Sequence, residues 1–201
     1  MNSFLIVDNV SYTYDDKEYA VSDVSFAWNS GILAVKGVSG SGKTTLLKLV
    51  AGLLKPDEGQ ILIEGKPLSE IPIKKRKIGF IFQQSNLYPH LTVYQNLLAS
   101  NKDTQAVKYR LEQLDLQKYV NFLPKQLSSG LKQKIAVAKL LASDSELWLL
   151  DEPTANLDEP TAEQVTKLLR EEGKGRCVLH VSHQTLIADD SVTLHEGRLI
   201  K

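Results

Sequence analysis

Apolar residues in this chain fall in short, nearly continuous blocks, the pattern of strands that are buried on both faces of a parallel sheet. Such blocks occupy residues 32–35, 147–150 and 177–181. The first block leads into a glycine-rich loop, and residues 44–54 after the loop carry leucines at helical spacing. The pattern predicts a strand, a loop and a helix in that order, within an α/β fold whose sheet is mostly parallel.

Two segments near the N-terminus have a different pattern. Residues 4–7 and 24–28 are partly alternating and rich in β-branched or aromatic side chains, with a polar turn at 15–17 between them. Alternation favours antiparallel strands, so we predict a small N-terminal antiparallel β lobe. Residues 192–200 are typical of a hairpin, because Gly197 supplies a turn between two short apolar segments.

The middle of the chain predicts helices. Residues 91–123 are polar and helix-prone, and Pro124 follows them. We assign this region to a helical lobe, of approximate bounds 88–141, that is inserted into the α/β unit. Because no repeat, low-complexity tract or flexible linker separates the parts, we predict a single domain over residues 1–201.

Charge balance and cysteine content narrow the class of protein. Lys and Arg together number 24, as do Asp and Glu, so the uniformly basic balance of a dedicated nucleic-acid binder is absent. The single cysteine, Cys177, cannot form an internal disulfide. No apolar run approaches the roughly 18 residues of a membrane span. We therefore expect a cytoplasmic protein that does not bind nucleic acid.

The glycine-rich loop at residues 37–44, GVSGSGKT, matches the P-loop pattern and lies between a predicted strand and a predicted helix. Backbone N–H groups of such a loop point at phosphate oxygens, and the following helix adds its positive N-terminal end. Lys43 is expected to reach the β- and γ-phosphates, and the Thr44 hydroxyl to coordinate Mg²⁺. The predicted nucleotide-binding residues of this segment are Gly37, Ser39, Gly40, Ser41, Gly42, Lys43, Thr44 and Thr45.

The glycine-rich loop by itself does not establish a nucleotide-binding site. The structural alternative is a glycine-rich turn that happens to carry a lysine. A serine nucleophile elbow is excluded, because residues 37–41 lack the final glycine of that motif. A phosphate loop alone indicates only an NTPase or a kinase.

Two carboxylates, Asp151 and Glu152, stand at the end of the second apolar block. P-loop enzymes place the acid that holds Mg²⁺ at such a strand end, so Asp151 is predicted to be that acid, acting through water. Glu152 lies one residue further, where a carboxylate can orient and polarise an attacking water. A solvated acidic turn before Pro153 is the structural alternative.

His183 follows the third apolar block, at the strand edge where open α/β sheets bind ligands. A neutral imidazole there can bind a γ-phosphate or the attacking water, although a lone histidine is more often structural. His180 and His183 point to different faces of a strand, which argues against a metal site formed by the pair.

Residues 127–134, LSSGLKQK, resemble the LSGGQ signature of the ABC transporter ATPases, and the resemblance covers essentially the whole chain. In that family's order the chain has the phosphate loop, residues 82–83, the signature, residues 147–152, residues 155–158 and His183. The resemblance implies an ATPase with ATP and Mg²⁺ as cofactors. It also implies a homodimer or a pair with a related ATPase subunit, transmembrane permease subunits as partners, and a place on the inner face of the cell membrane.

The resemblance implies roles for single residues as well. Tyr14 corresponds to the aromatic residue that stacks on adenine, and Asp158 to the aspartate that reaches across the dimer. Gln83 corresponds to the glutamine that contacts Mg²⁺ and the attacking water, and residues 83–97 to the docking site of the membrane partner. The implied catalytic residues are Glu152, His183 and Gln83, and the implied metal ligands are Thr44, Gln83 and Asp151.

The signature differs from the family pattern in two places. Ser129 stands where glycine is usual, and Leu131 replaces glutamine, while Ser128 and Gly130 remain. Ser128, Ser129 and Gly130 are still expected to cover the nucleotide of the partner subunit, with the helix from Leu131 aimed at its γ-phosphate. A serine in place of glycine crowds a close backbone approach, which predicts weaker ATP-driven closure. A helix start with serine caps is the structural alternative.

Four functions can be compared on these motifs. A small-molecule P-loop kinase has no use for a signature. A soluble ABC protein acting on DNA or ribosomes usually needs long coiled coils or two cassettes in one chain. A non-hydrolysing regulator is expected to lack Lys43, Glu152 or His183, all of which are present. The transporter ATPase uses every motif, and it is the function that the sequence predicts.

Overall fold

The computed structural model describes residues 4–15, 18–82, 87–181 and 188–200. Its backbone forms two compact units. The first unit consists of Met1–Ile78, Glu146–Asp151 and Gly173–Lys201, and the second of Gly79–Ser145 and Glu152–Glu172. The predicted single domain and the predicted bounds of the helical lobe stay predictions.

An antiparallel sheet forms the N-terminal part of the first unit. Its strands are β1 (Leu5–Thr13), β2 (Tyr19–Trp28), β4 (Glu58–Ile63) and β5 (Lys66–Pro67), in the order β2-β1-β4-β5. The side chains of Leu5, Val7 and Val10 on the central strand β1 are at most 1% exposed. The predicted N-terminal antiparallel lobe is confirmed, and β4 and β5, which the pattern did not predict, extend it. Part of the predicted turn at 15–17 lies outside the described residues.

A second, mostly parallel sheet of the first unit carries the predicted apolar blocks. Its strands are β3 (Gly31–Lys36), β7 (Leu147–Asp151), β8 (Cys177–Val181), β9 (Asp190–His195) and β10 (Arg198–Ile200). Within the unit their order is β10-β9-β3-β8-β7. β3 runs parallel to β8 and β9, β8 runs parallel to β7, and only β10 among these strands is antiparallel to its neighbour. Every residue of β7 and β8 is buried, as continuous apolar runs predict.

Helix α1 (Lys43–Val50) follows the glycine-rich loop and ends before residue 54, the last residue of the segment with leucines at helical spacing. Gly52 adopts a φ of 67°, in the left-handed region that glycine enters without a steric penalty. The N–H groups of Gly52 and Leu53 donate to the carbonyls of Leu49 and Lys48. These two bonds form a Schellman motif, which terminates the helix before the leucine pattern ends.

The second unit contains the predicted helices. They are α2 (Val93–Leu98), α3 (Thr104–Gln113) and α4 (Ser129–Ala142). The unit also contains α5 (Glu159–Gly173), whose last residue belongs to the first unit. The buried side chains of Leu97, Leu111 and Ile135 lie on α2, α3 and α4. β6 (Ile78–Ile81) begins in the first unit and continues in the second. Neither β6 nor α5 was predicted from the pattern. Among the described residues no helix is both long enough and apolar enough to cross a membrane.

Candidate nucleotide-binding site

The glycine-rich loop connects the end of β3 to the start of α1 and depends on glycine at two close approaches. Gly37 and Gly42 have φ values of 149° and 99°, which other residues rarely adopt. A Cβ atom at Gly37 would overlap the Leu194 carbonyl, and one at Gly42 would overlap the Ala20 carbonyl. The loop therefore keeps its tight curvature only with glycine at these positions.

Lys43 is folded back under the loop. Its Nζ donates to the carbonyl oxygens of Gly37, at 2.8 Å, and of Val38, at 2.7 Å. The side chain is buried, with 9% of its surface exposed. An ammonium group only donates hydrogen bonds, and here it donates to carbonyl oxygens of the loop. The loop therefore binds the positive charge of Lys43 through its own backbone.

Thr44 and Asp151 connect the start of α1 to the end of β7. The Thr44 hydroxyl donates to Asp151 Oδ2 at 2.8 Å. Burial raises the pKa of Asp151, and the hydrogen bond from Thr44 and the positive charges of Lys43 and Lys48 oppose that rise. The carboxylate is 3% exposed, whereas Thr44 is exposed.

The Thr44 and Asp151 oxygens fit a magnesium ion. A hydroxyl and a carboxylate are the oxygen ligands that Mg²⁺ prefers, and Mg²⁺ commonly takes few protein ligands beside water and substrate phosphates. In the described part of the chain, no group of three or more His, Cys, Asp or Glu side chains could hold a metal ion. A magnesium ion held by these two oxygens would also bind phosphate and water oxygens.

Tyr14 lies beside α1. Its hydroxyl is 3.2 Å from the Thr45 hydroxyl, and its ring meets the Tyr12 ring edge to face, with centroids 5.0 Å apart. The side chain is 60% exposed. A fixed and exposed aromatic ring of this kind can stack on a base.

The signature segment forms the first turn of α4. Ser128 caps the helix, its Oγ accepting from the Leu131 N–H at 3.2 Å. The helix begins at Ser129, earlier than the start at Leu131 that was predicted, because this cap satisfies an N–H of the first turn. A Cβ atom at Gly130 would lie 2.7 Å from the Asn156 carbonyl oxygen, so glycine allows the close approach of α4 to the 152–157 segment. The serine cap foreseen as the structural alternative is present, and Ser128 and Ser129 are both exposed.

Glu152 has a backbone conformation unusual for its residue type. Its φ is 51°, in the left-handed region, which costs a non-glycine residue roughly 1–2 kcal/mol. Gln133, on α4, donates from Nε2 to the carbonyl oxygens of Glu152, at 3.1 Å, and Pro153, at 2.9 Å. Sequence reasoning missed Gln133, although it lies inside the signature segment, because no periodicity or motif singles out its amide.

Asp158 begins α5. Its carboxylate accepts from the Thr161 N–H at 3.0 Å and from the Thr161 hydroxyl at 3.1 Å. The hydrogen bond from the Thr161 backbone is the main cause of a lowered pKa for Asp158, and the hydroxyl bond adds to it. The side chain is exposed, and its contact across a dimer stays a prediction.

Two predicted residues, Gln83 and His183, lie outside the described residues.

His180, on β8, is 3% exposed, and its Nε2 has no hydrogen-bond partner within the described ranges. Burial lowers the pKa of His180 to about 4 and raises that of Cys177 to about 12. Both side chains are therefore neutral near pH 7.

Comparison with known proteins shows the family. The family model for the ABC transporter matches residues 21–155. The chain is 34% identical to the spermidine/putrescine import ATP-binding protein PotA of Protochlamydia amoebophila, over 97% of this chain and 56% of that protein. It is 36% identical to the sulfate/thiosulfate import ATP-binding protein CysA of Synechocystis, over 97% of this chain and 59% of that protein. The chain thus spans less than two thirds of the length of these two relatives.

Solved structures agree with the sequence relatives. The dimeric bacterial ABC transporter cassette MJ0796 has a TM-score of 0.88 and 30% identity, covering 98% of this chain and 97% of that chain. A further structure of MJ0796 is a dimeric post-hydrolysis state bound to ADP and Pi. The mostly parallel sheet, the glycine-rich loop and the Thr44–Asp151 pair define a P-loop NTPase fold. The chain belongs to the ABC transporter family, as its motifs predicted.

Proposed function

We propose that this chain is the ATP-binding and ATP-hydrolysing subunit of an ABC transporter. The observation that carries the proposal is the 2.8 Å hydrogen bond from Thr44 to Asp151, because it joins the phosphate loop to the acid at the end of β7. Phosphate binding and metal binding then occur at one place. The family match and the names of the relatives, which are import ATP-binding proteins, support transport as the purpose of hydrolysis.

Binding of the triphosphate uses charge already held by the loop. The Lys43 ammonium exchanges the neutral carbonyl oxygens of Gly37 and Val38 for phosphate oxygens, which carry negative charge and form stronger hydrogen bonds. The N-terminal end of α1 adds its partial positive charge. Tyr14 stacks on the adenine, so its contribution is to binding rather than to chemistry.

Magnesium is held by Thr44 and Asp151 in this proposal, with Gln83 as a further ligand. When bound, the ion neutralises charge on the phosphate oxygens. Asp151 is suited to this role because a buried carboxylate interacts strongly with a cation in its low-dielectric surroundings.

Hydrolysis is assigned to Glu152, with His183 and Gln83 holding the γ-phosphate and the attacking water. Glu152 directly follows Asp151 in the sequence, so its carboxylate stands one residue beyond the proposed metal ligand. As general base it accepts a proton from the water that attacks the γ-phosphate.

The active unit is proposed to be a dimer, either of two copies or of this chain with a related ATPase subunit. The dimeric state of the similar cassette MJ0796 supports it. Ser128, Ser129 and Gly130 cover the nucleotide of the partner subunit, and Asp158 reaches across the interface. The exposure of Ser128 and Ser129 is consistent with contact to a second chain.

The membrane partner is a pair of permease subunits that dock on residues 83–97, with the chain held on the cytoplasmic face. The import functions named for PotA and CysA favour import. Those two relatives are named for different substrates, so no substrate is assigned to this chain.

Substitution of Lys43 tests the proposal. Lys43→Ala removes the charge that the loop offers to phosphate, so ATP binding is expected to weaken and hydrolysis to be lost. Phosphate release and binding of a fluorescent ATP analogue measure the two effects. Lys55→Ala, at an exposed position, is the matched control and is expected to behave like the parent. Unchanged affinity and turnover in Lys43→Ala would refute the phosphate-loop assignment.

A further inference from the structure

Gln133 is a buried amide that binds the backbone of the turn after β7. It is 2% exposed, and its Nε2 donates to the carbonyl oxygens of both Glu152 and Pro153. A side-chain amide nitrogen carries two protons, so both donors are used on adjacent peptide groups of one turn. These bonds fix the orientation of two successive peptide planes.

The turn held in this way contains a strained residue. The φ of 51° at Glu152 lies in the left-handed region, where a non-glycine residue persists only if its surroundings determine the conformation. The direction of the Glu152 Cα–Cβ bond depends on this backbone conformation. Loss of the two hydrogen bonds would let the peptide planes rotate and would move the carboxylate with them.

Helix α4 is itself fixed against the same segment. Gly130 lies so close to the Asn156 carbonyl that an added Cβ atom would be 2.7 Å from its oxygen. Gly130 and Gln133 are three residues apart, so they lie on one face of the helix. That face meets the segment from Glu152 to Asn156 at two points.

We propose that Gln133 is a positioning residue for hydrolysis, which holds the Glu152 carboxylate in the orientation needed to accept a proton from the attacking water. It also connects the helix that carries the signature to the turn that carries the catalytic acid. This inference rests on the proposed role of Glu152 as general base. The opposing explanation is that Gln133 only satisfies buried carbonyl groups and contributes to folding.

The direct test replaces the amide by an apolar side chain of similar length. Gln133→Met is expected to lower kcat about 10- to 100-fold, the cost of a misplaced catalytic group, and to leave KM for ATP within about 2-fold of the parent. Gln164→Met is the matched control, because Gln164 Nε2 also donates to a backbone carbonyl, that of Gln113, at 3.2 Å. It is expected to keep the parent kcat.

A double-mutant cycle separates positioning from folding. In a Glu152→Gln background, Gln133→Met is expected to cause no further loss of residual hydrolysis, measured with labelled ATP in single turnovers. An equal loss in both backgrounds would overturn the proposal, since Gln133 would then act independently of Glu152. Parent-like kcat in Gln133→Met would overturn it as well.

A second variant keeps the test decisive if Gln133→Met does not fold. Gln133→Asn retains the amide donors on a side chain shorter by one methylene, and it is expected to show the same pattern, with reduced kcat and unchanged KM. Parent-like kcat in that variant, or a loss that persists in the Glu152→Gln background, contradicts the proposal.

Failure of this inference is distinguishable from failure of the proposed function. If Glu152→Gln itself hydrolyses ATP like the parent, Glu152 is not the general base and the function as proposed is wrong. If Glu152→Gln is inactive while Gln133→Met is fully active, only the role of Gln133 is wrong.

Discussion

Thr44 and Asp151 are joined by a hydrogen bond of 2.8 Å, from the Thr44 hydroxyl to the Asp151 carboxylate. The bond connects an exposed residue of the phosphate loop with a buried carboxylate at the end of β7. Because burial raises the pKa of Asp151 and this bond opposes the rise, Thr44 helps to keep the carboxylate charged. A carboxyl group must be deprotonated to bind the ion well.

Removal of the Thr44 hydroxyl is therefore expected to weaken magnesium binding. Thr44→Val keeps the shape of the side chain but loses a donor and an oxygen ligand. The Mg²⁺ concentration for half-maximal ATPase activity is expected to rise about 10- to 100-fold, as measured by titration of phosphate release. Thr44→Ser keeps the hydroxyl and is the control. An unchanged Mg²⁺ requirement in Thr44→Val would contradict the assignment.

Tyr14 is expected to contribute to nucleotide binding through its ring. Tyr14→Ala should raise KM for ATP about 10-fold and lower kcat much less, because stacking stabilises ground state and transition state equally. Tyr14→Phe loses the contact with Thr45 but keeps the ring, so its KM should stay close to that of the parent. Steady-state kinetics measure both constants. A change confined to kcat would argue against stacking and would direct attention to Tyr12.

His180 makes folding stability depend on pH. Its folded pKa of about 4 lies below the ordinary histidine value of 6.5, so the unfolded chain binds a proton at pH values where the folded chain does not. Stability is therefore unaffected by this group above about pH 6.5 and falls as the pH is lowered toward 4.

Replacement of His180 by a side chain that does not titrate should remove this dependence. Between pH 7 and pH 5 the parent is expected to lose about 2 kcal/mol more unfolding free energy than His180→Phe, as measured by urea titration. Equal slopes for the parent and His180→Phe would show that His180 is charged or paired in the folded chain.

The sequence predicted those helices and strands whose local hydrophobic pattern is sufficient to determine them. Every residue of β7 and β8 is buried, and their continuous apolar runs were sufficient to predict them. β4 was missed because Ile61 and Ile63 are its only buried residues and its pairing with distant β1 determines the strand. α5 was missed because its buried stripe, which includes Val165 and Leu169, is narrow in a largely polar segment.

In the nucleotide-binding site, too, local motifs were predicted and long-range contacts were not. The residues of the phosphate loop and the strand-end acids were identified because their spacing along the chain is itself the motif. Gln133 was not identified, because its carbonyl partners lie 19 and 20 residues away in the sequence. A hydrogen bond to a backbone carbonyl does not require a particular residue type in the partner, so the sequence does not indicate it. The left-handed conformation of Glu152 was equally hidden, since it occurs at a residue other than glycine.

Sedimentation of Glu152→Gln in the presence of ATP and Mg²⁺ tests the central claim most directly. The amide keeps the shape of the side chain but cannot accept a proton from water, so ATP should bind without being hydrolysed. Glu163→Gln, on the exposed surface of α5, is the control and should turn over ATP like the parent. We predict that Glu152→Gln accumulates as an ATP-dependent dimer and releases no phosphate, whereas a variant that stays monomeric or releases phosphate at the parent rate would contradict the account.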